Sequence, residues 1–287
     1  IAITGLPTNS LIYIAVKGIN SYGESTYSNE IEFQIVQTSG ILNSNVTWSN
    51  KIITSNSLII PVGKILTIGE NCKVELSENA RIKTEIGATI SIENNVEISG
   101  ETITIPRDEM HPEEIPCNQV EVYGCITIGN NVQFTANDGE YWDGLYIYSD
   151  DDIQMSNAEF KNCKLYNESG SITISNSNFI SSSITNKNAD LSISDSDVDG
   201  YISSFNYNRT PIDINLNNCN ISGYSNGLSI SGDTNYQISE CDISNNSQNG
   251  INISESNVMS AKISKCTISN NNDNGIRFYS SEGTVES

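Results

Sequence analysis

The sequence predicts an all-β chain, most of it a right-handed parallel β-helix with three short strands per turn, preceded by part of a second, smaller β unit. Three observations predict this. The first is a six-residue phrase, seven with the polar residue before it, that recurs down the C-terminal half: Met155 to Phe160, Ile174 to Phe179, Ile193 to Val198, Leu216 to Ile221, Ile238 to Ile243 and Ile263 to Ile268. Its starts lie 19, 19, 23, 22 and 25 residues apart. That period is too short for two packed helices and suits one coil of a solenoid. The second is apolar alternation at a spacing of two on both sides of the phrase, which is the strand period. The third is an Asn-Gly pair followed by two alternating apolar residues, at Gly227 with Leu228 and Ile230, Gly250 with Ile251 and Ile253, and Gly275 with Ile276 and Phe278.

Each element follows from these spacings. Ile214 and Leu216 lie two apart, as do Cys219 and Ile221, but Leu216 and Cys219 lie three apart. All four can face inward only if the chain turns a corner at Asn217-Asn218. The first corner residue is Ser156, Ser175, Ser194, Asn217, Ser239 or Ser264, a short side chain able to bond nearby backbone where a ladder bends. Three inner columns follow. They are Ile153, Ile172, Leu191, Ile214, Tyr236 and Ala261; Met155, Ile174, Ile193, Leu216, Ile238 and Ile263; and Phe160, Phe179, Val198, Ile221, Ile243 and Ile268. Turns pair at about 4.8 Å, so no turn is stable alone and a stack is required. Upstream the pattern is looser: Gly63 leads to Leu66 and Ile68, Gly87 to Ile90 and Ile92, and Gly124 to Ile126 and Ile128. The longer gap before Gly124 places a surface insertion at residues 106–119, which carry three prolines, His111 and Cys117.

The 287 residues include 35 acidic and 14 basic ones, a net charge of -21. Nucleic acid is thereby disfavoured as a partner, because phosphate binding needs clustered Lys and Arg. No run of 18 apolar residues is present, so no membrane-spanning helix is expected. The chain has no initiator Met and no signal peptide, and we expect it to be a piece of a longer protein. Seven cysteines cannot all pair within one chain. Cys219, Cys241 and Cys266 share an inward column and are expected to be buried thiols; their linear arrangement disfavours a zinc tetrahedron. Cys117 and Cys125 can pair across the insertion or stay reduced.

Residues 1–36 differ in texture. The run Ile12 to Lys17, the stretch Asn20-Ser21-Tyr22-Gly23-Glu24-Ser25 and the run Tyr27 to Ile31 resemble the last strands of a fibronectin type III domain, although Ile12 stands where that family usually has its corner tyrosine. The expected organisation is therefore a partial fibronectin type III domain at 1–36, a linker at 37–45 and a β-helix at 46–287. Trp142 to Ile147 with Ile153 to Phe160, and the Ile-Ser-x-Cys-x-Ile-Ser-Asn-Asn runs beginning at Ile238 and Ile263, resemble the right-handed β-helix repeat proteins of the pectate-lyase-like superfamily, of the surface-protein type. That resemblance is specific for fold. It implies little about activity, because the fold hosts pectin lyases, polygalacturonases, epimerases, phage tailspikes and surface proteins with no known reaction.

Four constellations bear on function. Asp150-Asp151-Asp152 matches only the middle element of the carboxylate set of polygalacturonate hydrolases, and the single histidine lies in the insertion. Arg209-Thr210-Pro211 echoes a lyase Arg-x-Pro element without a second arginine. Asp195, Asp197, Asp199 and Gly200 spell the opening of a calcium loop, so Ca2+ is the one cofactor to consider; the twelfth position is Asn206 in place of a bidentate carboxylate, and the repeat already accounts for Asp195 as a corner and Asp197 as an outward residue. Trp48 and Trp142 can stack on sugars or pack; Trp48 stands where it would seal the end of the helix, and Trp142 starts a strand. Tyr146, Tyr148, Tyr201, Tyr207 and Tyr224, placed in loops, are a better stock for sugar contacts, although nothing in the sequence orders them into a groove. The expected function is a non-catalytic extracellular or cell-surface protein that presents polar faces to a polysaccharide or cell-surface glycan, in adhesion or glycan binding. The alternatives are a polysaccharide lyase or glycoside hydrolase acting on acidic polysaccharide, and a purely structural stalk.

Overall fold

The computed structural model describes residues 10–29, 31–77, 80–101, 119–137, 141–208, 210–254 and 260–279. Among them every regular element is a strand, and from Gly40 onward every strand pairing is parallel. The strands stack as a β-solenoid of about nine turns, each turn visiting three sheets. Sheet one holds the strand before each corner, such as Ile153–Ser156, Ile172–Ser175 and Leu191–Ser194. Sheet two holds the strand after it, such as Glu159–Lys161 and Asp242–Ser244. Sheet three holds strands such as Cys163–Asn167, Leu228–Gly232 and Ile251–Ser254. Sheets two and three merge into one 19-stranded network because two ten-residue strands, Asn178–Lys187 and Asp197–Asn206, run through the corner between them without a break.

The three inner columns stand in register as the alternation requires: Ile153, Ile172, Leu191, Ile214, Tyr236 and Ala261 are successive Cα partners, and so are the members of the other two columns. Phe134, Phe160 and Phe179 stack ring on ring, with centroids 4.8 and 4.7 Å apart, the spacing of parallel strands. The corner between sheets one and two has a backbone cause that the spacing alone did not show. One residue of it, the second in the later turns and the third in the earlier ones, is left-handed in turn after turn, with φ between 49° and 59° at Asn71, Asn95, Asn131, Asn157, Asn176, Asp195, Asn218, Glu240 and Lys265. Asparagine and aspartate tolerate this region better than other side chains except glycine, and the asparagines that fill most of the column are there for that reason.

Trp48 is fully buried, and its Nε1 donates to the Gln37 carbonyl at 3.1 Å, so it closes the end of the stack as expected. Trp142 is also buried. The stretch expected as a linker already carries solenoid structure: Gly40–Ile41 pairs with Leu58 and Ile59, and Leu42 is buried. The Asn-Gly signals ahead of the third strand mark an amide ladder, in which Asn249 Nδ2 donates to Asn226 Oδ1 at 2.9 Å and Asn274 Nδ2 to Asn249 Oδ1 at 2.8 Å. Near the N-terminus, Ser10–Ile14 pairs antiparallel with Ile31–Ile35. Between them Ile19–Asn20 and Gly23–Glu24 form a short hairpin, with Lys17 paired to Glu24. The Asn20 to Ser25 stretch is that hairpin. The rest of the insertion expected at 106–119, His111 and Cys117 included, lies outside the described residues, except that Gln119 opens the strand Gln119–Val122.

Candidate functional site

The cavity that stands out on the solenoid wall lies where sheet two turns into sheet three. It has a volume of about 690 Å³. Its lining comes from five successive turns: Tyr141, Asp143 and Tyr146; then Lys164; then Ser181 to Ser183; then Asp199 to Tyr201; then Gly223 and Tyr224. At about 4.8 Å per turn the lining spans about 19 Å along the solenoid axis.

The local backbone explains why a hollow forms here. In the strand Asn178–Lys187 the register slips between Ile180 and Ser182, leaving Ser181 unpaired at φ 47° while Ser182 pairs with Gly200. Such a bulge bends its strand and re-aims the neighbouring side chains. Gly200 has no room for any side chain, because a Cβ there would lie 1.6 Å from the Ser182 carbonyl oxygen. One turn on, Gly223 takes φ 90°, and a Cβ on it would meet Asp199 Oδ1 at 2.1 Å. The bulge and these two close approaches shape a recess with buried Ser182 and Gly200 at its base.

Tyrosines surround that recess. Tyr201 and Tyr224 stack with ring centroids 4.7 Å apart. Tyr141 shares a hydrogen bond with buried Ser183 (Oη to Oγ, 3.0 Å); its ring is partly exposed while its hydroxyl end is turned inward, and burial pushes the phenol up to about 12. Tyr146 stacks on Tyr166 at 5.1 Å, Tyr148 lies 5.8 Å from Tyr166, and Tyr123 stacks on Tyr148 at 4.6 Å. An aromatic track thus leads from Tyr123 into the cavity. Lysines already lie over this track: Lys164 Nζ is 5.5 Å from the Tyr146 ring and 5.2 Å from that of Tyr166, and Lys83 Nζ is 4.8 Å from Tyr123. Beside the track, Glu121 is buried and paired with Arg81 at 3.3 Å and Lys83 at 3.6 Å.

The sugar-contact tyrosines divide accordingly. Tyr146, Tyr201 and Tyr224 line the cavity and Tyr148 stands on the track, while Tyr207 lies apart, against Phe205 at 5.4 Å. Tyr146 and Tyr201 lie within strands rather than loops. Tyr141, Asp143 and Lys164 were not singled out from the sequence. Only Lys164 follows from alternation, as the neighbour of inward Leu165; Asp143 and Tyr141 face out because the register slips between Trp142 and Leu145, with Gly144 at φ 83°, which spacing alone does not show.

Asp195, Asp197 and Asp199 lie along one stretch of chain on the solvent side, the last two roughly 6.6 Å apart by strand geometry. Asn218 Nδ2 donates to Asp195 Oδ1 at 2.7 Å and Asn220 Nδ2 to Asp197 Oδ1 at 2.6 Å, whereas Asp199 turns to the cavity. Among the described residues, no group of three or more His, Cys, Asp or Glu is gathered as metal donors. Asp150, Asp151 and Asp152 are exposed outside the cavity, and Arg209 lies outside the described residues.

The class of protein is thus a right-handed parallel β-solenoid with an aromatic hollow on its wall. In agreement, a family model described as a right handed beta helix region matches residues 203–287. No curated protein matches the chain. No solved structure matches it.

Proposed function

We propose that this chain is a non-catalytic extracellular or cell-surface protein that holds a polysaccharide or cell-surface glycan in the cavity between Tyr141 and Tyr224. The observation that carries this reading is the convergence of four tyrosines, two carboxylates and a lysine from five turns on one open recess. Sugar rings present apolar faces with polar edges, and such ligands suit sites where aromatic planes combine with a few convergent polar groups. The fibronectin-type spacer and the surface location belong to the same proposal, supported by the Asn20 to Ser25 hairpin and the Asn, Ser and Thr-rich exterior. Calcium at Asp195, Asp197 and Asp199 has weaker support, since two of the three carboxylates already accept a hydrogen bond from a neighbouring asparagine.

Titration calorimetry against soluble oligosaccharides tests the reading. Replacing Tyr201 or Tyr224 by Ala should weaken binding by about 1 kcal/mol each, roughly fivefold in Kd. Retention of no glycan, or binding indifferent to both substitutions, would overturn it. A second reading, a hydrolase, is favoured by Asp143 and Asp199 lining the same cavity; release of new reducing ends that Asp143→Asn abolishes would replace the first reading with it.

A further inference from the structure

We infer that the cavity selects glycans bearing free amino groups, hexosamine units carrying an ammonium, over uronic-acid glycans. The inference rests on the glycan-binding reading and adds the chemical class of the ligand.

Three observations carry it. The first is the charge of the lining, where Asp143 and Asp199 face the recess against one cation, Lys164. Lys164 is itself drawn over the Tyr146 and Tyr166 rings. A uronate carboxylate entering this recess meets two like charges, and the chain around it carries a net charge of -21, so electrostatic complementarity works against it. The second is that the track already binds ammonium groups, because two lysines sit over three of its rings within 5.5 Å. Tyrosine faces attract cations through the ring quadrupole. The stacked Tyr201–Tyr224 pair, beside Asp199, offers the same chemistry to a cation from outside. The third is the steric opening at Gly223. Any side chain there would strike Asp199 Oδ1, so glycine keeps that carboxylate at the cavity wall, where it can accept from an incoming ammonium. Charge-assisted N–H···O bonds of this kind are about twice as strong as neutral ones.

The experiment compares a glucosamine trimer, the corresponding N-acetylglucosamine trimer and a galacturonate trimer, by titration calorimetry at pH 6 and physiological salt. The whole chain is used, together with its Asp199→Asn and Asp143→Asn variants. Both variants are isosteric changes at side chains that line an open recess, and a melting curve establishes that each is folded. The glucosamine trimer is expected to bind best, and Asp199→Asn is expected to weaken it by about tenfold while leaving the N-acetylated trimer nearly unchanged. Binding of the galacturonate trimer as tight as that of the glucosamine trimer would overturn the inference and leave glycan binding standing. Equal binding of the amino and N-acetyl trimers would do the same. If glucosamine binds but neither Asp variant weakens it, the attraction comes from bulk acidity and the inference fails. Binding of none of the trimers, with no glycan retained from a wider set, would sink the glycan-binding reading as well.

Discussion

Ser177 and Ser196 each donate a hydroxyl to the carbonyl two residues back, at 2.8 and 2.7 Å, and Cys219, Cys241 and Cys266 point their thiols at the equivalent carbonyls at 3.3, 3.2 and 3.3 Å. The column was expected to hold thiols as small hydrophobes. Cys219 and Cys241 do lie in the hydrophobic core, and like the serines they add a contact to carbonyls that already accept a backbone N–H from the preceding turn. Serine hydroxyls also accept from the preceding turn, as when Ala158 N–H donates to Ser177 Oγ at 3.1 Å. Cys241→Ser should therefore change stability by less than about 1 kcal/mol, whereas Cys241→Leu should cost about 1 to 3 kcal/mol by overpacking. Urea unfolding of the two variants checks this; a serine variant as unstable as the leucine one would refute it.

The corner is the element that sets the shape of each turn, and it constrains the residue types that can occupy it. Glu240 adopts φ 57° in a column otherwise held mainly by asparagine. Its ion pair with Lys265, at 2.8 Å, joins two exposed side chains and contributes little. Glu240→Asn should thus raise stability by about 0.5 to 1 kcal/mol, because asparagine bears the left-handed backbone with less strain. A higher Tm by calorimetry is the expected result, and a lower one would mean that the pair with Lys265 outweighs the strain. The corner between sheets two and three was harder to foresee. It is made by Asn162 in one turn, by a bulge at Ser181 in the next and by Gly223 later. A bulge depends on two strands slipping past each other, so Ser181 within a run of serines carried no local mark of it. The inner columns, by contrast, were legible residue by residue, because burial on one face of a strand enforces a spacing of two in the chain itself.

Across the whole molecule, thiols and phenols whose charged forms burial disfavours are expected to set the response to alkali. Burial pushes Cys72 up to about 11 and Cys163 up to about 12, Tyr141 rises to about 12, and Tyr148 rises further in the same direction. The folded chain keeps protons that the unfolded chain releases near pH 8.5 for a thiol and near 10 for a phenol. These groups therefore contribute stability that is complete below those values and is lost as pH rises through about 11 to 12. The urea midpoint should fall steadily from pH 9 to 11, and less steeply in Tyr141→Phe; a midpoint that stays level over that range would refute the assignment. Because each turn relies on its neighbours, loss of packing at Cys163 should destabilise the adjoining turns rather than one strand.

The sequence by itself determined the strands, the inward columns, the sealing role of Trp48 and the polar corner, because each is written in the spacing of residues close together in the chain. Tertiary structure alone decided the site. Tyr141 and Tyr224 become neighbours of one cavity only after five turns are stacked in register, and the recess between them takes its shape where one strand bulges and Gly200 and Gly223 let neighbouring turns approach closely. It also decided the fate of the three aspartates. The corner and sheet two give Asp195 and Asp197 to asparagines of the next turn and leave Asp199 facing the cavity, a division that depends on which residue the following turn places opposite each one.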